Sequence, residues 1–298
     1  MPDPQPVTTL GIDVAAARTR ARTATVLDVR PPAAFARGHL IGSGNLELAE
    51  FHERRSELPP REASLLVVGA TTGAAADAAG ALVARGYTDV RWFAGDVAAL
   101  ADPDTGWETG PARRLWRPNR FLSELLPRLS RLPRGLRALD LAAGSGRDAV
   151  FLALNGFEVE AWDFDAHALV RAAELAAREG VQLSTLIRDL EQARPQLPEA
   201  RWSLIVCFRY LHRPLLPMLA RALVPGGYLV YETYRAGQEQ FGRPARARFL
   251  LQPGELRASF PTLEMLHYDE PSPPGGPWTA RLFARRPPSN FPTRKDPV

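Results

Sequence analysis

The sequence predicts an α/β protein of two domains, the second of which contains a doubly wound, seven-stranded sheet. Three observations predict this fold class. The 298 residues suffice for two domains, strand and helix patterns alternate in both halves, and a turn-rich stretch follows residue 101. We therefore expect a first domain over 1–105, a linker over 106–118, a second domain over 119–287 and a disordered tail over 288–298.

Strands and helices alternate in the first half from about residue 24. The β-rich segment TATVLDVR is followed by a glycine- and proline-punctuated loop and by LAEFHERRSEL, which predicts a helix. The apolar run ASLLVVGA predicts a buried strand, and TTGAAADAAGALVARGY predicts a helix closed by Gly86. The segment DVRWFAGDVAAL then predicts a last strand and helix of this half.

The first half resembles a rhodanese-like domain over roughly residues 8–108. The segment GYTDVRWFAGD is similar to the closing part of that family, and VLDVRPPAAFARGHLIGSGNL is similar to its opening signature. The signature positions are occupied by Asp28, Arg30, Gly38 and His39.

One position departs from the rhodanese pattern. In that family a cysteine thiolate heads the loop after the central strand, where backbone N–H groups and a helix dipole stabilise it. Here Ala70 stands at that place, with Gly73 at the usual glycine of the loop. The resemblance therefore implies a catalytically inactive domain that serves as a binding or regulatory module.

The loop after Ala70 leaves two interpretations open. Backbone amides at a helix start bind anions without any side chain. The family's loop usually carries a basic residue, however, and Thr71, Thr72 and residues 74–76 supply none. A structural or docking role is therefore favoured over an anion site.

The second half opens with an amphipathic helix and a glycine turn. The segment RFLSELLPRLSRL places apolar residues three and four apart. LRALDLAAGSGRDAVFLALNG then predicts a buried strand, a tight turn and a helix whose free N–H groups point at the turn. The next strand, FEVEAWDF, ends at Asp163, about twenty residues after the turn, where a carboxylate accepts hydrogen bonds from both ribose hydroxyls.

Five further strands complete the predicted sheet. VQLSTLIRDL, RWSLIVCFRYLH and LVPGGYLVYETY predict the third, fourth and fifth strands. LEMLHYDE and WTARLFARRP alternate apolar and polar residues around a PSPPGGP turn and predict an antiparallel pair. Such sheets bind their ligands at the carboxyl ends of the parallel strands.

These motifs, in this order, resemble class I S-adenosylmethionine-dependent methyltransferases over about 119–287. LDLAAGSGRD is similar to the first motif of that family, WDF to its ribose-binding motif, RDL to its adenine-contacting motif and LVPGGYLVYET to the turn before its fifth strand. The resemblance implies a Rossmann-like fold, S-adenosyl-L-methionine as cofactor and S-adenosyl-L-homocysteine as product. The implied cofactor-binding residues are Asp140, Ala142, Gly144 and Gly146 for the methionine part, Asp163 and Phe164 for the ribose, Asp189 and Leu190 for the adenine, and Phe208 beside the transferable methyl.

A dinucleotide-binding site is the weaker interpretation of the glycine turn. Ala142 stands where the first glycine of the dinucleotide fingerprint belongs. Asp148, in the first turn of the following helix, would also repel a pyrophosphate at that helix start.

The acceptor side of the methyltransferase pattern is rich in polar residues. Arg209, Tyr210 and His212 are the candidate catalytic residues. Among them His212 is the best candidate base, because its reference pKa lies near neutrality, although a structural histidine at a helix start explains it about as well. The candidate substrate-binding residues are Arg213, Tyr231, Glu232, Tyr234 and Arg243.

The acceptor itself is constrained by two local patterns. Cys-Phe-Arg-Tyr-Leu-His replaces the Asn-Pro-Pro-Tyr type motif of methyltransferases that act on exocyclic amines, which disfavours adenine and glutamine N-methylation. GRDAVFLALNG, together with the AWD strand end, is similar to the tellurite-resistance type of methyltransferase. The first hypothesis is therefore a small-molecule acceptor, either a thiol or a chalcogen oxyanion such as tellurite or selenite.

The charge distribution keeps two alternatives open. The net charge is +4, with −3 over residues 1–105 and +7 over the rest, and eight arginines face one acid between Arg113 and Arg137. That stretch is interpreted either as a solvated linker and helix face or as a docking patch for RNA or protein methylation. The docking patch leads to the second functional hypothesis, an RNA or protein methyltransferase. The third hypothesis is a noncatalytic binding protein.

The composition indicates a reducing compartment. The single cysteine, Cys207, excludes an internal disulfide and a cysteine-based metal site, and no metal is predicted. MPDPQPVTTL has no basic leader or apolar core, and the stretch from Leu65 to Ala84 fits a strand and an alanine-rich helix. We expect a soluble, cytoplasmic protein.

Overall fold

The computed structural model describes residues 10–191 and 196–288, and the chain divides after Arg117 into two compact units. Each unit has its own central sheet and its own groups of buried apolar side chains. The expected tail lies outside the described residues from position 289 onward. None of the helices in the described residues has the length and apolarity to cross a bilayer.

The first unit contains a five-stranded parallel sheet and a separate two-stranded ribbon. Its strands are β1 (Leu10–Gly11), β2 (Thr25–Asp28), β3 (His39–Leu40), β4 (Gly44–Asn45), β5 (Leu65–Gly69), β6 (Val90–Ala94) and β7 (Trp107–Glu108). Its helices are α1 (Val14–Ala21), α2 (Pro32–Arg37) and α3 (Thr72–Val83). The sheet order is β1-β6-β5-β2-β4, and β3 pairs with β7 antiparallel. Central β5 is buried along its whole length, as its apolar run predicts.

The expected linker over 106–118 differs from the structure. Trp107–Glu108 pair with His39–Leu40, and Leu115 packs into the apolar core of the first unit. These contacts join the segment to the first unit as far as Arg117. The turn-forming residues of this stretch therefore mark a change of direction within the first unit. The boundary between the two units follows Arg117.

Two predicted helices of the first unit are shorter than expected. LAEFHERRSEL forms only one 3₁₀ turn, Leu48–Glu50, followed by further turns. Further along that segment the Glu57 N–H bonds the carbonyl of Arg54, three residues back, so α-helical bonding does not continue. The segment after β6 likewise forms a 3₁₀ turn, Val97–Leu100.

The second unit contains a seven-stranded sheet with helices on its two faces. Its strands are β8 (Arg137–Leu141), β9 (Glu158–Asp163), β10 (Ser184–Ile187), β11 (Trp202–Phe208), β12 (Leu223–Tyr234), β13 (Glu264–Asp269) and β14 (Thr279–Arg285). Its helices are α4 (Arg120–Leu129), α5 (Arg147–Leu154), α6 (Ala166–Arg178), α7 (Leu216–Ala222) and α8 (Glu255–Ala258). The strand order β10-β9-β8-β11-β12-β14-β13 confirms the predicted seven strands.

The direction of the strands fixes where ligands bind in the second unit. Strands β8 to β12 run parallel, whereas β14 is antiparallel to both β12 and β13, as predicted. Along β11, alternate residues enter two separate apolar groups, one on each face, with Ile205 in one group and Val206 in the other. The carboxyl ends of β8, β9, β10 and β11 consequently share one edge, and the loops that follow them form the candidate site.

Candidate functional site

A glycine turn follows β8 and leads into α5. Ala142, Gly144 and Gly146 all adopt the left-handed backbone conformation, with φ of 59°, 53° and 74°. A Cβ atom on Gly146 would lie 2.4 Å from the Cβ of Ala172 in α6, whereas one on Gly144 would meet nothing within 4 Å. Gly146 is therefore needed for packing of the two helices, and Gly144 borders open space.

Asp163 ties the glycine turn to the end of β9. Its Oδ2 accepts a hydrogen bond from the Gly144 N–H at 2.7 Å, and its Oδ1 accepts one from the Asp165 N–H at 2.9 Å. A carboxylate has about four acceptor positions, so two remain for a further donor. The neighbouring Phe164 ring is 75% exposed, which leaves a large apolar surface beside this carboxylate.

Asp140 is a buried carboxyl group beneath the turn. It is 2% exposed, and its Oδ2 has no hydrogen-bond partner in the described part of the chain. Burial raises the pKa of Asp140 well above its usual range, and the carboxylates of Asp148 and Asp163 raise it further. This concentration of acidic groups favours a positively charged ligand group next to Asp140.

Asp148 and Asn119 connect the helix after the turn to the start of the second unit. The Asn119 N–H donates to Oδ1 of Asp148 at 2.5 Å, and the Asn119 side chain caps α4 through bonds from Phe121 and Leu122. Burial raises the pKa of Asp148, while the bond from Asn119 lowers it. Asn119 is not among the site residues predicted from the sequence, although an asparagine directly before an amphipathic helix is a recognisable N-cap.

Asp189 and Leu190, which the sequence predicts to contact the adenine, occupy two different environments. Asp189 is exposed, and its Oδ1 accepts a hydrogen bond from the Glu191 N–H at 2.9 Å. Leu190 is buried in the apolar group that also contains Trp162. Asp189 thus makes a local, turn-forming contact through Oδ1, and Oδ2 is left to accept a hydrogen bond from a ligand.

The chain turns sharply where β11 ends. Phe208 is 9% exposed and packs in the core, and Arg209 adopts the left-handed conformation with φ of 56°. The Arg209 N–H donates to the carbonyl of Glu232 at 2.8 Å, and its charge lowers the pKa of Asp148. The exposed Arg209 therefore belongs to the electrostatic surroundings of the helix that follows the glycine turn.

His212 and Tyr210 each present a buried polar atom without a partner. Neither Nε2 of His212 nor the Tyr210 hydroxyl has a hydrogen-bond partner among the residues that the structure describes. Both side chains are half-buried and follow β11 within four residues. Unpaired buried polar atoms are rare in folded proteins, and at a candidate site they indicate a place for a ligand.

Arg213 is held within the protein by four hydrogen bonds of its guanidinium. Its guanidinium bonds to both Glu255 oxygens at 2.5 and 3.0 Å, and to the carbonyls of Arg248 and Leu250 at 2.9 Å each. Arg213 lowers the pKa of Glu255 accordingly. This side chain links the segment after β12 to the segment after β11, and four of its five guanidinium N–H donors are already bonded to the protein.

Tyr231 and Glu232, at the end of β12, also hold the structure together. The buried Tyr231 hydroxyl donates to the carbonyl of Tyr210 at 2.7 Å. Glu232 accepts hydrogen bonds from the side chains of Asn119, Thr279 and Arg281. Neither side chain therefore faces the acceptor region as a free group.

Tyr234 and Arg243 remain as candidate acceptor contacts. Tyr234 is half-buried at the end of β12, and its carbonyl accepts a bond from the Leu251 N–H at 3.0 Å. Arg243 is exposed and forms no ion pair within the described ranges 10–191 and 196–288. Arg246 and Arg248, in the same segment, are exposed as well.

Several arginines between positions 113 and 137 have partners within their own unit. Arg120 pairs with Glu124 at 2.8 Å, Arg128 lies 5.8 Å from the centre of the Phe283 ring, and Arg114 lies 4.9 Å from that of Trp116. These contacts fit a structural role for part of the stretch.

The first unit keeps the scaffold of its expected site without a nucleophile. Asp28 is fully buried and forms a 2.6 Å ion pair with Arg30, which also bonds the carbonyl of Gly38. Ala70 follows β5, and the Thr71 side chain caps α3. Cys207, the one cysteine of the chain, is buried in the second unit, where burial raises its pKa to about 12.

Comparison with known proteins assigns both units. Residues 128–273 match the family model described as tellurite resistance protein TehB, and residues 13–102 match the model of the rhodanese-like domain. The two units thus correspond to a rhodanese-like domain and to a domain of the TehB type.

Individual relatives cover only part of the chain. A protein of Haemophilus influenzae named probable S-adenosyl-L-methionine-dependent methyltransferase TehB is 25% identical over 138 residues, which are 45% of this chain and 48% of that protein. Hemagglutinin 1 of Eikenella corrodens is 28% identical over 139 residues, which are 45% of this chain and 46% of that protein. The chain therefore spans about half the length of the curated relatives it matches. The crystal structure of TehB from Haemophilus influenzae matches 54% of this chain and 61% of its own, with a TM-score of 0.45 and 21% identity.

Proposed function

We propose that this protein transfers a methyl group from S-adenosylmethionine to a small anionic acceptor, a thiolate or a chalcogen oxyanion such as tellurite or selenite. One observation carries the proposal. The glycine turn, the Asp163 carboxylate that holds Gly144, and the unpaired oxygen of Asp140 lie together at the carboxyl edge of the sheet. The match of this unit to the TehB family supports the same reaction class.

The side chains at this edge fit the cofactor in charge and shape. The unpaired buried oxygen of Asp140 would accept a hydrogen bond from the cationic methionine end, and the open space at Gly144 would admit the cofactor close to the backbone. Asp163 has acceptor capacity left for ribose hydroxyls, and the exposed ring of Phe164 offers an apolar surface for the adenine. When bound, the cofactor supplies a methyl group on a positively charged sulfur.

Methyl transfer from a sulfonium is an in-line displacement, so positioning of the acceptor supplies much of the catalysis. A thiolate or an oxyanion already carries its reactive electron pair and needs no base. The proposed part of His212 is then to hold the acceptor by a hydrogen bond from Nε2, which has no other partner in the described residues. With a neutral thiol acceptor, the same imidazole would remove the proton.

The charge on the acceptor side supports an anion. The segment between β12 and α8 exposes Arg243, Arg246 and Arg248. Arg213 fastens this segment to the loop that follows β11, where the acceptor is expected to bind. Clustered positive charge raises the local concentration of anionic substrates.

The first unit is proposed to act as a binding or regulatory module. Without a cysteine at position 70 it forms no persulfide, and its buried Asp28–Arg30 pair stabilises the fold without offering free donors to a substrate. The resemblance to rhodanese-like domains therefore supports a role in recognition.

RNA or protein methylation through the segment 113–137 is the weaker alternative. Arg114, Arg120 and Arg128 are engaged by Trp116, Glu124 and Phe283, which reduces the charge available for phosphates. A noncatalytic binding protein is also weaker, because the turn with Asp163 and Gly144 is complete.

A labelled-methyl assay tests the proposed function. The full-length protein is incubated with methyl-labelled S-adenosylmethionine and, separately, with tellurite, selenite, a small thiol and total RNA. We expect label in a volatile or organic product with one of the small acceptors and none in RNA. Label in RNA alone would contradict the proposed acceptor class, and no transfer to any acceptor would contradict the proposed enzyme.

A further inference from the structure

Tyr210 follows β11 by two residues, and its side chain is half-buried. Its ring packs against the same apolar group as Ala142, a group that also contains Leu190. The Tyr231 hydroxyl donates to the Tyr210 carbonyl at 2.7 Å, which fixes the backbone at this point. Tyr231 is itself 1% exposed, so this anchor is rigid.

The Tyr210 hydroxyl is buried and has no hydrogen-bond partner among the described residues. Leaving a buried hydroxyl unpaired is unfavourable, so a bound group that pairs with it gains affinity. The geometry therefore provides one specific donor or acceptor for a ligand of the second unit.

The electrostatic surroundings of Tyr210 keep its hydroxyl neutral. Burial raises the pKa of Tyr210, and Glu191, Cys207, Asp189 and Asp163 raise it further, so the hydroxyl stays protonated and donates. Asp163 is the last residue of β9, where the ribose is proposed to bind, and Asp189 follows β10, where the adenine is proposed to bind. A neutral hydroxyl among carboxylates is a poor base but a good hydrogen-bond donor.

We propose that Tyr210 recognises the nucleoside part of the cofactor by donating a hydrogen bond to it, and takes no part in activating the acceptor. This inference rests on the proposed function and deepens it. Tyr210 is then a residue that sets cofactor specificity and is no longer a candidate catalytic residue.

Tyr210→Phe tests the role, because it removes the hydroxyl and keeps the ring that packs against the core. Calorimetric titration measures binding of S-adenosylhomocysteine and of 5′-methylthioadenosine, which keeps the nucleoside and lacks the amino-acid end. We expect both ligands to bind about tenfold more weakly to the variant, a loss of ~1.4 kcal/mol. Tyr228→Phe is the matched control, since that half-buried tyrosine stacks on Phe283 within the sheet.

The outcomes separate this inference from the proposed function. If the wild-type protein binds neither ligand, the proposed function fails, and this inference fails with it. If the wild type binds both ligands and Tyr210→Phe binds them equally well, the inference alone is overturned. Weakened S-adenosylhomocysteine with unchanged 5′-methylthioadenosine would also overturn it, because the contact would then lie at the amino-acid end.

Kinetics and thermal unfolding provide a second readout. At saturating cofactor, we expect Tyr210→Phe to retain the wild-type kcat and acceptor KM, with only the cofactor KM raised. A loss of kcat with normal cofactor affinity would show an acceptor-side role and contradict the inference. Unfolding midpoints without ligand establish that the variant is folded before either comparison is made.

Discussion

Asp163 and Gly144 are joined by a 2.7 Å hydrogen bond between the carboxylate Oδ2 and the backbone N–H, across 19 positions of the chain. The bond connects the end of the second parallel strand to the turn that follows the first. One side chain thus shapes the turn and keeps acceptor positions for a ligand. This relationship is the structural basis of the proposed cofactor site.

Gly146 is predicted to be intolerant of any side chain. Gly146→Ala places a Cβ 2.4 Å from that of Ala172 and forces alanine into a left-handed conformation, which together cost about 2–4 kcal/mol. Thermal unfolding should show a clearly lower midpoint. Gly180→Ala is the control, because Gly180 has a similar φ of 68° and open space around it, and it should cost only about 1 kcal/mol. Equal losses in both variants would contradict the packing argument.

Asp140 is predicted to lower the free energy of unfolding as pH rises, although its carboxyl group is proposed to bind the cofactor. Burial raises its pKa above the usual carboxyl range near 4, so between the ordinary and the raised value the folded state holds more protons than the unfolded state. Stability therefore falls as pH rises through that window, by about 1.4 kcal/mol for each unit of pKa shift.

Asp140→Asn removes this pH-dependent loss. Without ligand, the variant should gain stability relative to the wild type, and the gain should be larger at pH 8 than at pH 5. The exposed Asp189 gives the control variant, Asp189→Asn, which should show no such trend. A destabilised Asp140→Asn at pH 8 would mean that the ionised carboxylate contributes to the fold.

Arg243 is predicted to attract the acceptor. Arg243→Gln removes one exposed charge from the segment after β12, so the acceptor KM should rise about two- to fivefold at low salt while kcat stays unchanged. The effect should fade at high salt because the ions screen the charge. Arg61→Gln, an exposed arginine of the first unit, serves as the matched control. The same acceptor KM in both variants at low salt would contradict the steering role.

The first unit is predicted to lack sulfurtransferase activity. Ala70 supplies no nucleophile, and the buried Cys207 thiol belongs to the second unit and has a pKa of about 12. Incubation with thiosulfate and cyanide should therefore form no thiocyanate above the uncatalysed rate. Thiocyanate formation above that rate by both the wild type and Cys207→Ser would contradict the inactive assignment of the first unit.

The sequence predicted the backbone of the second unit better than its side-chain contacts. Strand patterns, the glycine turn and the antiparallel pair are local features, and the seven-stranded order confirms the fold that they predicted. The pairing of Arg213 with Glu255 joins positions 42 apart, and no local pattern distinguishes such an arginine from a free one. The position of Asn119 before an amphipathic helix predicts an N-cap, but its contacts with Asp148 and Glu232 depend on tertiary structure and have no local pattern.

The boundary between the two units shows a second limit of prediction from the sequence. Gly106, Gly110 and the neighbouring polar residues predicted a linker, because such residues favour turns. The structure instead pairs Trp107–Glu108 with His39–Leu40 in a short ribbon. Two-residue strands carry too little sequence pattern to be predicted, so the end of the first unit was placed too early.

Calorimetric titration with S-adenosylhomocysteine tests the central claim most directly, using the wild type, Asp163→Ala and the control Glu158→Ala, which changes an exposed acid at the start of the same strand. The account predicts micromolar binding by the wild type and the control, and binding at least about tenfold weaker in Asp163→Ala. Absence of binding by the folded wild type, or equal affinity in Asp163→Ala, would contradict it.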